Sequence, residues 1–164
     1  MSGYSFREFS FRYSACADDL TDEEARYIYL YDASRNNYGE VGTSIDENDI
    51  NHVIDSIEAN ISYAVYDDDD EMVGVAAVEP LSGHLWLEGV AVDPSRRSSG
   101  IGAFILNSLK RVAVENECEK ISGYSQPNSS TVSFYLRNNG YRDDNLPNPD
   151  SRYIPISIDV EAES

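Results

Sequence analysis

The stretch VDPSRRSSGIGAFIL, Val92–Leu106, decides how this chain is read. An apolar run ends at Val92 and Asp93-Pro94 turns the backbone. Gly100 and Gly102 then open a segment whose Ile101, Ile105, Leu109 and Val112 recur at helical spacing on one face. Glycines let backbone N–H groups approach a ligand closely, and a helix start adds the positive end of a dipole. Arg96 and Arg97 add two positive charges at that turn, in a chain with 12 basic and 30 acidic residues and a net charge of -18. A second basic pair, Lys110-Arg111, falls inside the helix and reads as surface. The spacing excludes a mononucleotide P-loop, because no Gly-Lys-Ser/Thr follows. It also excludes the dinucleotide fingerprint, because there is no GxGxxG and the preceding strand does not open a βαβ unit. What remains is a phosphate-binding turn of another kind, or a plain strand-to-helix corner.

Outward from this turn the chain alternates short apolar runs with amphipathic ones. FREFSFRY places Phe9, Phe11 and Tyr13 at alternate positions, as in a half-buried strand. LTDEEARYIYLY predicts a helix with Thr21 as N-cap and Glu24 closing a capping box. SIDENDINHVIDSI repeats that grammar, with Ser44 and Glu47 at its start and Ile50, Val53, Ile54 and Ile57 as its apolar stripe. DASRNNYGEVGT between them reads as a surface loop. ISYAVY and MVGVAAV predict two strands joined at DDDDE; that tip lacks the alternating ligands and central glycine of a calcium loop and reads as solvated. HLWLEGVAV is the next strand, after the turn PLSG. Beyond the central helix, KISGYS predicts a strand and NSSTVSFYLRNNG a helix closed by Gly140 as C-cap. DDNLPNPDS reads as loop, and RYIPISIDV as a last strand, with Pro155 suggesting an edge or a bulge. The order is strand, two helices, three strands, helix, strand, helix, strand. It predicts an α/β fold with a mixed sheet rather than a doubly wound one. At 164 residues, with no repeat or linker, we read a single domain, with 159–164 as a frayed tail.

RSSGIG, Arg97–Gly102, fits the pattern Q/R-x-x-G-x-G/A, and its surroundings resemble the long central motif of the GCN5-related N-acetyltransferases, the GNAT family. Downstream, NSSTVSFYLRNNGY sets Asn128 and Tyr135 seven apart and closes on Gly140-Tyr141, similar to the later motif of that family, which more often ends in Gly-Phe. The element order agrees over essentially the whole chain. The resemblance implies the acyl-CoA N-acyltransferase fold: a mostly antiparallel sheet flanked by helices, with a splayed parallel pair, HLWLEGVAV and KISGYS, holding acetyl-CoA between them. It implies that the backbone of Val90, Ala91 and Val92 pairs with the pantetheine arm. It further implies that amides of Arg97, Ser98, Ser99, Gly100, Ile101, Gly102 and Ala103, with Arg96 nearby, take the pyrophosphate. Ser98 stands where the family usually has glycine, which bears on affinity.

Acetyl transfer needs a deprotonated amine, a polarised carbonyl and a stabilised thiolate. An alkylamine with a pKa near ~10.4 is about one part in ~10³ neutral at pH 7, a penalty of roughly 4–5 kcal/mol. Glu88, on the strand face of Trp86 and Val90, is the candidate base, directly or through water, and an apolar neighbourhood would tune it. Tyr135 is the candidate acid toward the thiolate; its alternative is a core stripe with Val132 and Leu136. Asn128 reads equally as a helix N-cap after Pro127 and as a cofactor contact. A backbone N–H near Val90 would stabilise the oxyanion. His52 and His84 have no neighbouring third ligand, so we expect no metal. Cys118 reads as packing, since the family transfers acetyl directly.

The acidic balance argues against nucleic acid, which needs a basic face. The acids are spread along the whole chain, and only two of the bases are lysines, Lys110 and Lys120, which fits a salt-rich cytoplasm and a halophilic origin better than a docking patch. No run is long enough for a membrane span, and MSGYSFREFSFRY carries no secretory pattern, so we expect a cytoplasmic protein. Cys16 and Cys118 then read as reduced thiols, and Asn60 and Asn128 as unglycosylated. The leading expectation is an N-acetyltransferase acting as a monomer or homodimer on a small-molecule or peptide amine. The competing ones are a non-catalytic acyl-CoA sensor, and an acyltransferase using a longer acyl chain or an oxygen nucleophile. The acceptor is open: 35–42 and 142–152 would shape its pocket, and Asp143, Asp144 and Asp150 there are either cation-attracting or solvated.

Overall fold

The computed structural model describes residues 3–12, 15–16, 18–36, 51, 54–55, 57–96, 99–125, 127, 129–147 and 152–160. The elements are β1 (Ser5–Glu8), α1 (Asp22–Asn36), β2 (Ile61–Tyr66), β3 (Met72–Leu81), β4 (His84–Val92), α2 (Ile101–Glu115), β5 (Lys120–Ser125), α3 (Ser129–Arg137), β6 (Gly140–Arg142) and β7 (Ile154–Asp159). Residues 51, 54, 55, 57 and 58 are also helical; Ile54 and Ile57 are buried as expected, while Ser44, Glu47, Ile50 and Val53 lie outside the described residues. The strands form one mixed sheet in the order β1-β2-β3-β4-β5-β7-β6. The α/β class, the mostly antiparallel sheet and the parallel β4–β5 pair therefore stand as expected. Contacts group the chain into two compact units, Met1–Val78 with Glu88–Ile105 and Glu79–Leu87 with Leu106–Ser164.

In the first unit, β1 pairs antiparallel with β2, and β2 with β3. The first strand lies earlier than expected: Phe9 and Phe11 follow β1 and are core residues rather than strand residues. Phe9 stacks on Tyr27 at 4.3 Å and Phe11 meets Tyr27 edge-on at 5.9 Å, so the expected alternation of burial holds, with Ser10 and Arg12 exposed, although β1 ends before it. Tyr13 lies outside the described residues. The capping box forms as predicted: the Glu24 N–H donates to Thr21 Oγ1 at 3.1 Å, and the Thr21 N–H to Glu24 Oε1 at 2.9 Å. Glu24 also accepts from the Arg12 N–H at 2.9 Å and from Arg12 Nε at 3.0 Å, which ties the chain before α1 to its first turn.

In the second unit, β4 and β5 pair in parallel over His84–Trp86 and Lys120–Ser122. β7 is antiparallel to both β5 and β6. β7 is thus an interior strand, not the edge that Pro155 suggested. Pro155 is tolerated because it stands near the strand start, beyond the Arg142–Ile156 pair that ends β6. Its carbonyl accepts the Asp143 N–H at 2.9 Å. β6 was not expected from the sequence. Asp159 and Val160, expected within a frayed tail, are instead bonded in place: Asp159 pairs with Lys120 and the Val160 N–H reaches the Glu119 carbonyl at 2.9 Å; 161–164 lie outside the described residues. The left-handed residue closing α3 is Asn139, with φ 69°, and not Gly140. Gly140 has a different duty: a Cβ there would lie 2.6 Å from the Tyr135 carbonyl oxygen.

Candidate functional site

β4 carries the expected backbone contacts Val90, Ala91 and Val92, all half-buried, beyond the last residue of the parallel ladder. The turn after it is built by Asp93. Its N–H donates to the Val73 carbonyl at 2.9 Å, and its carboxylate accepts the Ser95 N–H at 2.9 Å and the Ser95 hydroxyl at 2.8 Å. Arg26 pairs with the other carboxylate oxygen. Burial pushes the Asp93 carboxyl up, but the bonds from Ser95 and Arg26 outweigh it and hold it below its ordinary value. The chain then makes a single 3-10 turn, Pro94–Arg96.

Arg96 is placed differently from the expectation of an open positive spot. Its guanidinium reaches Asp67 at 2.9 Å and Glu71 at 3.4 Å, at the tip between β2 and β3. Asp67 also accepts the N–H groups of Asp69 and Glu71 at 2.9 and 3.0 Å. The DDDDE tip is therefore a hairpin as read, but its first aspartate, Asp67, is a half-buried tether for the turn after β4 rather than a solvated charge.

Ser99 and Gly100 are exposed, and Gly100 adopts φ 80°, with nothing within 4 Å of where a Cβ would stand. The helical ladder begins with the Phe104 N–H donating to the Gly100 carbonyl at 3.0 Å. The amides of Ile101, Gly102 and Ala103 therefore precede the ladder, at the positive end of α2. Ile101 anchors that end in the core together with Ile105, and Leu109 and Val112 complete the expected buried stripe. Arg97, Ser98 and Asn128 lie outside the described residues.

Glu88 is exposed on β4, which departs from the apolar neighbourhood expected for it. Tyr135, on α3, has a half-buried side chain edge-on to Phe134 at 5.2 Å, and burial pushes its phenol up to about 12. Leu136 is 51% exposed, so the core stripe that competed for Tyr135 does not include it. Cys118 is buried, its thiol pushed up by that burial, while Cys16 is only half-buried. Among the described residues no three His, Cys, Asp or Glu side chains are grouped as a metal site, and no helix is long and apolar enough to cross a membrane.

Asp143 is neither of the alternatives weighed for it. It is 4% exposed and accepts from Ser157 Oγ at 2.7 Å and from the Asn145 N–H at 3.1 Å, with Lys120 Nζ at 3.5 Å. Ser157 in turn bonds Ser122 at 2.9 Å, and Ser122 bonds His84 Nδ1 at 2.8 Å. Sequence reasoning missed this chain because its members come from β4, β5, β7 and the segment after β6. Asp144 is exposed and pairs with Arg142, and Asp150 lies outside the described residues.

The sequence model of the acetyltransferase (GNAT) family matches residues 18–141. Comparison with curated proteins finds no significant match. Among solved structures, a GNAT-family acetyltransferase from Staphylococcus aureus is 16% identical with a TM-score of 0.69, covering 96% of this chain and 100% of that one. The ribosomal-protein-S18-alanine N-acetyltransferase from Escherichia coli is 14% identical with a TM-score of 0.64, covering 98% and 96%. A GNAT-family acetyltransferase from Elizabethkingia anophelis, solved with acetyl-CoA bound, is 14% identical with a TM-score of 0.65, covering 97% and 99%. At these identities the likeness speaks to the fold, while the family match spans most of the chain. The chain belongs to the acetyltransferase (GNAT) family.

Proposed function

We propose that this protein transfers the acetyl group of acetyl-CoA directly to a primary amine. The observation that carries the reading is the turn from β4 into α2. An exposed Gly100 with positive φ there precedes a helix start whose first amides are not used by the helical ladder. Three consecutive N–H groups and a dipole end suit a pyrophosphate, and the Cβ-free space at Gly100 suits its close approach. Val90, Ala91 and Val92 hold the pantetheine arm, and Arg96, Arg97, Ser98, Ser99, Gly100, Ile101, Gly102, Ala103 and Asn128 hold the rest of the nucleotide. The tether of Arg96 to Asp67 and Glu71 makes its role one of shaping the turn as much as contributing charge.

In the reaction the amine nitrogen bonds to the thioester carbon, the C–S bond breaks, and one proton leaves nitrogen while one is restored to sulfur. Glu88 takes the proton, and its exposure favours a route through water. Tyr135 faces the departing sulfur. With its phenol pushed up to about 12 it stays protonated at neutral pH and donates a hydrogen bond. Because that value lies above the ~8.5 of an ordinary thiol, its help is largest while charge is building on sulfur. The acceptor is a small-molecule or peptide amine, the protein is cytoplasmic, and the acidic surface is an adaptation to high salt.

Purified protein in molar KCl, offered acetyl-CoA and a panel of amines, is expected to release free thiol in proportion to acetylated amine. Glu88→Gln and Tyr135→Phe should each lower kcat by about 10²-fold or more. Full activity in both variants would remove the assigned roles. Stabilisation by acetyl-CoA without transfer to any amine would make the protein an acyl-CoA sensor instead.

A further inference from the structure

The turn between β4 and α2 is held by two aspartates that divide their oxygens in the same way. Asp93 gives Oδ1 to its own turn, accepting the Ser95 N–H at 2.9 Å and the Ser95 hydroxyl at 2.8 Å, and gives Oδ2 to Arg26 of α1. Asp67 gives Oδ1 to the hairpin tip, accepting the N–H groups of Asp69 and Glu71 at 2.9 and 3.0 Å, and gives Oδ2 to Arg96 at 2.9 Å. Each carboxylate is thus fixed locally through one oxygen and meets a distant arginine through the other. The arginines have further holds. Arg26 Nε donates to the Met72 carbonyl at 3.3 Å with its guanidinium 5.5 Å from the centre of the Tyr29 ring, and Arg96 also reaches Glu71 at 3.4 Å.

The other end of the turn is seated on β3. A Cβ at Gly74 would stand 3.2 Å from Ile105 Cδ1 and 3.4 Å from Ile101 Cγ2, so the start of α2 packs onto that strand where it carries no side chain. The Asp93 N–H bonds the neighbouring Val73 carbonyl at 2.9 Å. Between these anchorages Ser99 and Gly100 are exposed, and the first amides of α2 stand outside the helical ladder. Every anchoring residue belongs to the first unit. Donors bind a charged group best when their places are set before it arrives, because no ordering then has to follow binding. We propose that Arg26 and Asp67 are positioning residues for acetyl-CoA: acting through Asp93 and Arg96, they hold the turn so that the amides opening α2 meet the pyrophosphate. This rests on the function proposed above. Neither residue has to touch the cofactor for its loss to weaken binding.

The division of oxygens lets each tether be cut alone. In Asp93→Asn and Asp67→Asn the remaining oxygen keeps the local bonds, while the amide NH2 in place of Oδ2 cannot accept from an arginine. Arg26→Met removes the first tether from its other side. Titration calorimetry with acetyl-CoA should show each variant binding about three- to tenfold more weakly than wild type. Arg26→Met combined with Asp93→Asn should bind within about twofold of the weaker single variant, because both remove one contact. Acetyl-pantetheine, which has the thioester and the arm but no pyrophosphate, separates positioning from general damage. Its kcat/KM with an accepting amine should stay within about twofold of wild type in all three single variants. Wild-type affinity for acetyl-CoA in Asp67→Asn and Arg26→Met would overturn the proposal. So would equal losses with both thioesters, which would make the tethers general supports of the fold. Tighter binding in Asp67→Asn would also overturn it, since Arg96 would then be a phosphate contact that Asp67 withholds. A wild-type protein that binds acetyl-CoA but acetylates no amine removes the reaction and leaves the calorimetric differences in place. One that binds no acetyl-CoA removes the cofactor and the positioning together.

Discussion

Replacing Glu24 by Gln isolates one charge in the first turn of α1. Glu24 is 3% exposed, and its carboxylate accepts three hydrogen bonds, from the Thr21 N–H, the Arg12 N–H and Arg12 Nε, with an ion pair to the Arg12 guanidinium at 2.8 Å. Burial by itself pushes the carboxyl up, but the bonds from Arg12 and Thr21 outweigh it and bring the value from 4.5 down to about 2. At 1.36 kcal/mol per pH unit that difference is worth about 3 kcal/mol, and the partly exposed Arg12 side chain reduces it to about 2 kcal/mol. Gln can keep the Oε1 bonds of the cap, but its amide NH2 cannot accept the Arg12 N–H, so the substitution removes the charge together with that bond. The sign follows from a depressed folded value: the stabilisation is full above the unfolded pKa and disappears as pH falls toward the folded one. Chemical denaturation of wild type and Glu24→Gln should therefore differ by about 2 kcal/mol at pH 7, and the gap should close between about pH 5 and pH 2. A gap below about 0.5 kcal/mol at pH 7, or one that persists unchanged at pH 2, would refute the reasoning.

Gly140→Ala should destabilise the protein by about 1–3 kcal/mol, since its Cβ meets the Tyr135 carbonyl at 2.6 Å; thermal melting measures it, and an unchanged Tm would contradict it. Gly100→Ala, at a position with open space but φ 80°, should cost only about 1 kcal/mol while raising the KM for acetyl-CoA several-fold. An unchanged KM there would detach the turn from the cofactor.

Much of this was legible in the sequence because it is local. The Thr21–Glu24 box, the apolar period of α2 and the continuous HLWLEGVAV run all depend on neighbours within a few residues, and they appear where they were expected. What escaped depends on distant partners. β6 is three residues long, too short to show alternation, and Pro155 had suggested an edge or a bulge for what is an interior strand. Asp143 and Asp67 looked like two more surface acids in an acidic chain, yet each is tied to a partner far along the sequence, Asp143 buried and Asp67 half-buried. Phe9 and Phe11 keep a strand's spacing just beyond β1, with the Phe9 N–H still reaching the Ser62 carbonyl, and their rings pack on Tyr27 of α1. The motif that identified the family was local, whereas the hydrogen-bonded chain from Asp143 to His84 crosses three strands and had no sequence signature.

The most direct test of the central claim is free-thiol release from acetyl-CoA by the purified protein in molar KCl, measured with and without primary amines. Release that requires an amine and is matched by acetylated product is the predicted result. Saturable acetyl-CoA binding with no amine-dependent release across the panel would contradict it.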